Sequence, residues 1–209
     1  MMMKIISSEC IVSFLASLGI MLFVALFLFS ILLKSEKFEN LLFAATPVAI
    51  EETSERYLVS HSVRSYFFSN PPLPDTLFTE RERKHLGDVK ALFKFIEMGT
   101  AIGFVASVIA LLAVRKKNTT AEVMRRAGAY GFLTVALGGG AAALFFDQAF
   151  FGLHTLIFSN DVWQLDPAKH ALIRAYPEGF FYLFFTAYVS MLAAVYGALW
   201  FAARRRRAA

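Results

Sequence analysis

Four apolar runs, residues 11–33, 95–114, 127–146 and 180–203, each reach the ~20 residues that a helix needs to cross the hydrocarbon core of a bilayer. No water is available there to satisfy backbone N–H and C=O groups, so a lipid-crossing segment of this length must bond to itself and is predicted helical. The remaining composition suits a membrane protein: 57% of the chain is hydrophobic, 18% is charged, and 23 of the 209 residues are Phe. The fold class expected is an all-α integral membrane protein, a single domain over 1–209. It has four transmembrane helices and two outward-facing segments, 34–94 and 147–179, which hold short helices at the membrane surface.

The first run follows a short N-terminus carrying Lys4. Its apolar part is much longer than the roughly 7–15 residues of a signal-peptide core, so a retained span is expected. Cys10 is preceded by Glu9, which does not suit a lipoprotein cleavage site, and the chain's one cysteine permits no internal disulfide. Arg115, Lys116, Lys117, Arg125 and Arg126 crowd the connection between the second and third runs, and Arg204 to Arg207 close the chain. The positive-inside rule then puts both termini and that connection in the cytoplasm. The net charge of +5 reports this topology and contact with anionic headgroups of membrane phospholipid; beyond it nothing suggests nucleic acid. Apart from Glu97 near the edge of the second run, the spans hold almost no ionisable side chain, which argues against a transporter.

In the first outward segment, "SNPPLPD" at 69–75 interrupts any helix, because its prolines lack donors and restrict the residues before them. Thr79 followed three residues later by Glu82 fits a capping box, so one long helix is expected to start there and continue into the second span. Gly99, Gly103 and Ser107 in that span, and 138–143 in the third, are small-residue faces suited to helix packing. In the second outward segment, Asp166 and Pro167 are the expected N-cap and first residue of a new short helix.

Two histidines stand at the outer ends of different spans. His85 and Asp88 are three residues apart, on one helical face, where Asp88 is placed to orient the imidazole. Asp147, Phe151 and His154 share another face. Polar groups at this depth are costly and usually functional, and histidine is suited to moving protons near neutral pH. Each histidine also has a plain alternative, as one polar residue of an interfacial turn among aromatic anchors. Two histidines and scattered carboxylates lack a zinc spacing, so neither a metal nor another cofactor is expected. Ser62, Ser65 and Ser159 lie in no G-x-S-x-G setting.

"LFTERERKHLGDVKALF" and "FGLHTLIFSNDVWQLDPAKHALIRAYPEGFF" resemble the motifs of the lipoprotein intramolecular transacylase (Lit) family of bacterial membrane proteins, formerly of unknown function, and the four-span layout is similar along the whole chain. The resemblance implies that His85 and His154 are the family's two motif histidines, with Asp88, Trp163, Asp166, Pro177 and Glu178 also on motif positions. Lys169-His170 departs from the pattern, where an acidic residue is expected. It further implies an enzyme of the bacterial cytoplasmic membrane that acts on diacylglyceryl-modified lipoproteins. An acyl chain moves from the glyceryl group of the N-terminal cysteine to that cysteine's α-amino group, giving the lyso form. This chemistry needs a base for an α-ammonium of pKa ~8 and a partner for the oxyanion and leaving alkoxide. The expectation is His85, oriented by Asp88, as the base and His154 as the partner, with the roles exchangeable. The competing reading is a non-enzymatic membrane module, such as a sensor, chaperone or complex subunit.

Overall fold

A computed structural model describes residues 8–46, 50–114 and 117–208. Among these residues the regular structure is entirely helical: α1 (Ser8–Lys34), α2 (Glu36–Ala45), α3 (Ile50–Phe68), α4 (Glu80–Ala113), α5 (Lys117–Thr134), a π-helical turn (Val135–Gly139), α6 (Gly140–Leu144), α7 (Phe146–Ile157), α8 (Ala171–Ala175) and α9 (Glu178–Ala208). Four stretches are long and apolar enough to cross a membrane, Ile11–Lys34, Glu80–Ala113, Thr119–Leu144 and Glu178–Arg205, and they contain the four expected spans with two differences. The third starts earlier, at Thr119, and stops at Leu144, because Phe145 leaves the helical region at φ −119° and ψ 48° and α7 begins anew after it. The π turn within this span was not expected from the sequence. Lys4, noted above beside the first run, and Arg115 and Lys116, used above to orient the chain, lie outside the described residues.

The contacts divide the chain into two compact units. The first comprises residues up to Lys34, Ile96–Ala141 and Thr186–Ala209. Its core is small: Ala16 and Ile20 of α1 pack against Val123 and Ala127 of α5 and Val114. Apolar side chains on the opposite faces are exposed, Ile102 at 62% and Leu137 at 66%, which in a spanning helix is the face offered to lipid. Backbone approach depends on glycine. A Cβ at Gly128 would stand 2.5 Å from Trp200 N and 2.7 Å from Tyr196 O, and one at Gly131 would meet the Tyr196 ring at 2.6 Å. A close α5–α9 approach is therefore made at 128–131, which was not expected, and the expected 138–143 face packs through Gly139, where a Cβ would meet Val189 of α9 at 2.8 Å, while Gly138 and Gly140 meet nothing within 4 Å among the described residues. The stripe on α4 does pack, with Gly99 against Leu26 and Gly103 against Phe23 of α1. Tyr196 and Tyr188 donate to the carbonyls of Met21 and Ala25 at 2.6 and 3.1 Å, tying α9 to α1 by hydrogen bonds that lipid cannot replace.

The second unit comprises Ser35–Phe95 and Ala142–Phe185. Ser35 caps α2 through the Phe38 amide at 3.2 Å, and Asn70 ends α3 in the left-handed region at φ 68°, as a residue after a helix C-terminus commonly does. Phe38, Leu42, Val59, Val63, Phe78, Leu86, Leu172, Tyr176 and Phe180 are buried here. Charged side chains bind the short helices together. Arg56 donates to the carbonyls of Phe43 and Thr46 at the end of α2; Arg64 and the Tyr176 hydroxyl both bond Glu39; and Arg174 forks onto Glu55 at 2.6 and 3.2 Å.

Candidate active site

The expected capping box forms at the start of α4. Glu82 N–H bonds the Thr79 hydroxyl at 3.3 Å, and Glu82 Oε2 accepts from Thr79 N–H at 2.7 Å and from its hydroxyl at 2.8 Å. The other carboxyl oxygen reaches further: Oε1 accepts the Leu172 amide at 2.8 Å, an unpaired donor in the first turn of α8. Glu82 is 0% exposed, so its desolvation is tolerable only because these three donors surround it. Its carboxyl thus locks the start of α4 to α8.

His85 lies almost one turn further along α4, in residues 80–94, the charged part of the helix that precedes the apolar stretch from Phe95. It is 9% exposed, and its buried Nδ1 has no hydrogen-bond partner among the described residues. The ring stands 5.4 Å from Phe158 in an edge-on arrangement and 6.4 Å, centre to centre, from His154. Burial pushes the His85 imidazole down to about 4, with the proximity of His154 acting in the same direction and the Asp88 charge opposing both.

His154 sits in the last turn of α7 with Nδ1 2.7 Å from the Phe150 carbonyl. A carbonyl can only accept, so the proton is on Nδ1, and the neutral ring presents its lone pair on Nε2. Phe150 at 4.2 Å, Trp163 at 5.0 Å and Phe158 at 5.7 Å surround this ring. Burial lowers its pKa, against the stabilising bond to the carbonyl. Two imidazoles are thereby held neutral at pH 7 within one aromatic cradle.

The other sequence-predicted residues fall into three places. Asp88 makes no hydrogen bond to His85 among the described residues; its Oδ2 accepts Asn160 Nδ2 at 2.9 Å and reaches His85 only by its charge. Trp163 joins the cradle, packing on both His154 and Phe151. Asp166 does not start a helix. Its side chain accepts Ala168 N–H at 2.9 Å in a turn, its backbone N–H donates to His170 Nδ1 at 2.8 Å, and α8 begins only at Ala171, with His170 at the N-cap. The turn closes on itself because the Asp166 carbonyl accepts both the Lys169 and His170 amides. Asp147 and Glu178 form a separate pair of neighbouring carboxyls. They line an open groove of about 540 Å³ with Leu144, Phe145, Phe146 and Tyr182, and neither histidine borders it. No group of three His, Cys, Asp or Glu side chains among the described residues converges as a metal site would.

With this geometry in view, comparison with known proteins is decisive for the family. Residues 4–181 match the model of the family "Lipoprotein intramolecular transacylase Lit". The chain belongs to the Lit family. Solved structures agree on the fold. The in meso structure of the membrane-integral lipoprotein intramolecular transacylase Lit from Bacillus cereus superposes with a TM-score of 0.64 at 18% identity, covering 94% of each chain. A variant of that protein with a histidine-to-alanine mutation gives 0.71 at 19% identity, covering 94% of this chain and 92% of that one. No curated protein sequence matches. By family, then, this is an acyltransferase and an integral membrane protein.

Several residues of this candidate site were not picked out by sequence. Asn160 reads there only as part of a turn, although "SND" between Phe158 and Val162 is a fair signal for a side chain that pins a loop. Phe150 and Phe158 stand four residues on either side of His154, a helical spacing that could have marked them as ring neighbours. The second role of Glu82 has no local signal, because Leu172 is 90 residues away in sequence.

Proposed function

We propose that this Lit-family protein transfers an acyl chain within a diacylglyceryl-modified bacterial lipoprotein, from a glyceryl ester oxygen to the α-amino group of the same N-terminal cysteine. The observation that carries this reading is the pair of neutral imidazoles, one buried and one half-buried, 6.4 Å apart in an aromatic cradle. His154 acts as the base: Nε2 takes the proton of the α-ammonium, and the resulting imidazolium keeps its Nδ1–H bond to the Phe150 carbonyl. The freed amine attacks the ester carbonyl. His85 is the more strongly desolvated ring, and as a neutral N–H donor it bonds the oxyanion that develops. Collapse of the tetrahedral intermediate breaks the C–O bond, His154 returns its proton to the glyceryl oxygen, the attacking nitrogen releases its remaining extra proton to water, and a neutral amide remains. This reverses the roles expected from sequence, because Asp88 is engaged by Asn160 rather than by His85. The reaction is an isomerisation and consumes no second substrate.

Holding amine and ester in one molecule supplies proximity, and acid–base help adds about 10²–10⁴-fold. The apolar side chains around the site, Phe151, Leu153 and Leu156 among them, are exposed and suited to acyl chains of the substrate and of membrane phospholipid. The basic residues support a placement with both termini in the cytoplasm and segments 34–94 and 147–179 at the outer face of the bacterial cytoplasmic membrane. The test is fragment-resolved mass spectrometry of the N-terminal lipopeptide from cells with the protein, without it, or with His85→Ala or His154→Ala. N-acyl, S-monoacylglyceryl cysteine is expected only with the intact protein, each variant falling by about 10²–10⁴-fold. A free amine in every sample, with the protein inserted, would overturn the reading.

A further inference from the structure

Residues 158–163 follow α7 and carry two of the rings that enclose the histidines, Phe158 against His85 and Trp163 against His154. This segment has no regular structure of its own, so side chains must hold it in place. Asn160 Nδ2 donates to Asp88 Oδ2 at 2.9 Å, while Asn160 Oδ1 accepts the Val162 amide at 3.2 Å. Next to it, the Arg81 guanidinium donates to the Asp161 carbonyl and lies 3.6 Å from the Asp161 carboxylate. Arg81 and Asp88 stand about one turn before and one turn after His85 on α4, so the segment is pinned on both sides of the histidine.

We infer that Asn160 is a positioning residue for the acyl transfer, occupying Asp88 so that it does not pair with His85 and fixing the segment that sets Phe158 and Trp163 against the two imidazoles. The inference rests on the acyl-transfer reading above. A carboxylate free to bond His85 would favour imidazolium, and a charged His85 beside His154 would oppose the proton that His154 must accept. The other charged groups near His85 are committed elsewhere. Glu82 is bound to Thr79 and Leu172, Arg81 to Asp161, and Lys84 is exposed to solvent. Asp88 is thus the group whose partner decides the charge on His85, and Asn160 is that partner.

Three variants separate this role from a general contribution to folding. Asn160→Ala removes both bonds. Asn160→Asp keeps the acceptor for Val162 but loses the donor to Asp88. Asp88→Asn combined with Asn160→Asp exchanges the groups and restores a donor–acceptor pair across the same gap. With the wild type making N-acylated lipopeptide, the two single variants are expected to slow transfer by about 10- to 100-fold. The acid limb of the rate profile moves to higher pH in Asn160→Ala, and the exchanged pair regains most of the rate. Wild-type rate and pH profile in Asn160→Ala, or an equal loss at every pH that the exchange does not restore, overturns the inference. Absence of product with the wild type would refute the transfer reading instead. In that case the NMR titration of the His85 ring in micelles still decides: Asn160→Ala should raise its midpoint by about one pH unit or more, and an unchanged midpoint overturns the role.

Discussion

Glu82→Gln and Glu82→Ala test whether one buried carboxyl holds the start of α4 to α8. The wild-type group satisfies the Thr79 amide and hydroxyl with one oxygen and the Leu172 amide with the other, at 2.7, 2.8 and 2.8 Å. Glutamine has nearly the same shape but only one oxygen, so its NH₂ must face one of these donors. The mismatch leaves a donor unsatisfied and costs about 1–3 kcal/mol. Alanine forfeits the cap, about 1 kcal/mol, and also strands the buried Leu172 amide, for a total of about 2–4 kcal/mol. Thr79→Ala is the control: it loses the cap hydroxyl, keeps the Leu172 bond and costs about 0.5–2 kcal/mol. Thermal unfolding in detergent micelles, followed by circular dichroism, should rank the proteins wild type, Thr79→Ala, Glu82→Gln, Glu82→Ala from most to least stable. Because His85 lies less than one turn beyond Glu82, transfer should also fall in Glu82→Gln at temperatures where the variant is still folded. If Glu82→Gln melts with the wild type and works as fast, the carboxyl is not the lock described here.

Two further outcomes follow from pH and from packing. Since the folded state holds His85 near 4 against an ordinary ~6.5, the unfolded chain binds more protons between those values. Stability is therefore full above ~6.5, declines as pH falls, and by about pH 4 has lost up to about 3 kcal/mol, with His154 contributing in the same direction. Denaturation of the wild type should be steeper over this window than that of His85→Gln, and parallel curves would contradict the burial. In the spanning helices, Gly128→Ala should destabilise by about 1–3 kcal/mol, because its Cβ would meet Trp200 N at 2.5 Å. Gly140→Ala, with open space around it, should be neutral or gain up to about 1 kcal/mol of helix propensity; a melt in which the two behave alike would count against the α5–α9 crossing.

The broad class of this protein was legible because bilayer thickness acts on the chain locally. Runs of about 20 apolar residues can be counted without knowing any partner, and the capping box at Thr79 and Glu82 is a local bond between near neighbours. His85 and His154 were legible as candidates for a related reason: each stands at the outer end of an apolar run with a carboxylate at helical spacing. The helix expected from Asp166 failed because local turn chemistry was read as helix chemistry. Asp166 closes a turn with Ala168 and His170, while the donors of α8 are met from a distant helix by Glu82.

Pairings across sequence distance were not legible. That Asp88 binds Asn160 instead of His85, that Gly128 and Gly139 rather than Gly138 approach α9, and that Asp147 lies beside Glu178 all depend on which faces the helices turn toward each other. The sequence alone determined four spans, two histidine-bearing segments and the family, since hydropathy, caps and motifs act over neighbouring residues. Only tertiary structure decided that the two histidines share one cradle and stay neutral, because burial and ring contacts come from residues that sequence leaves far apart.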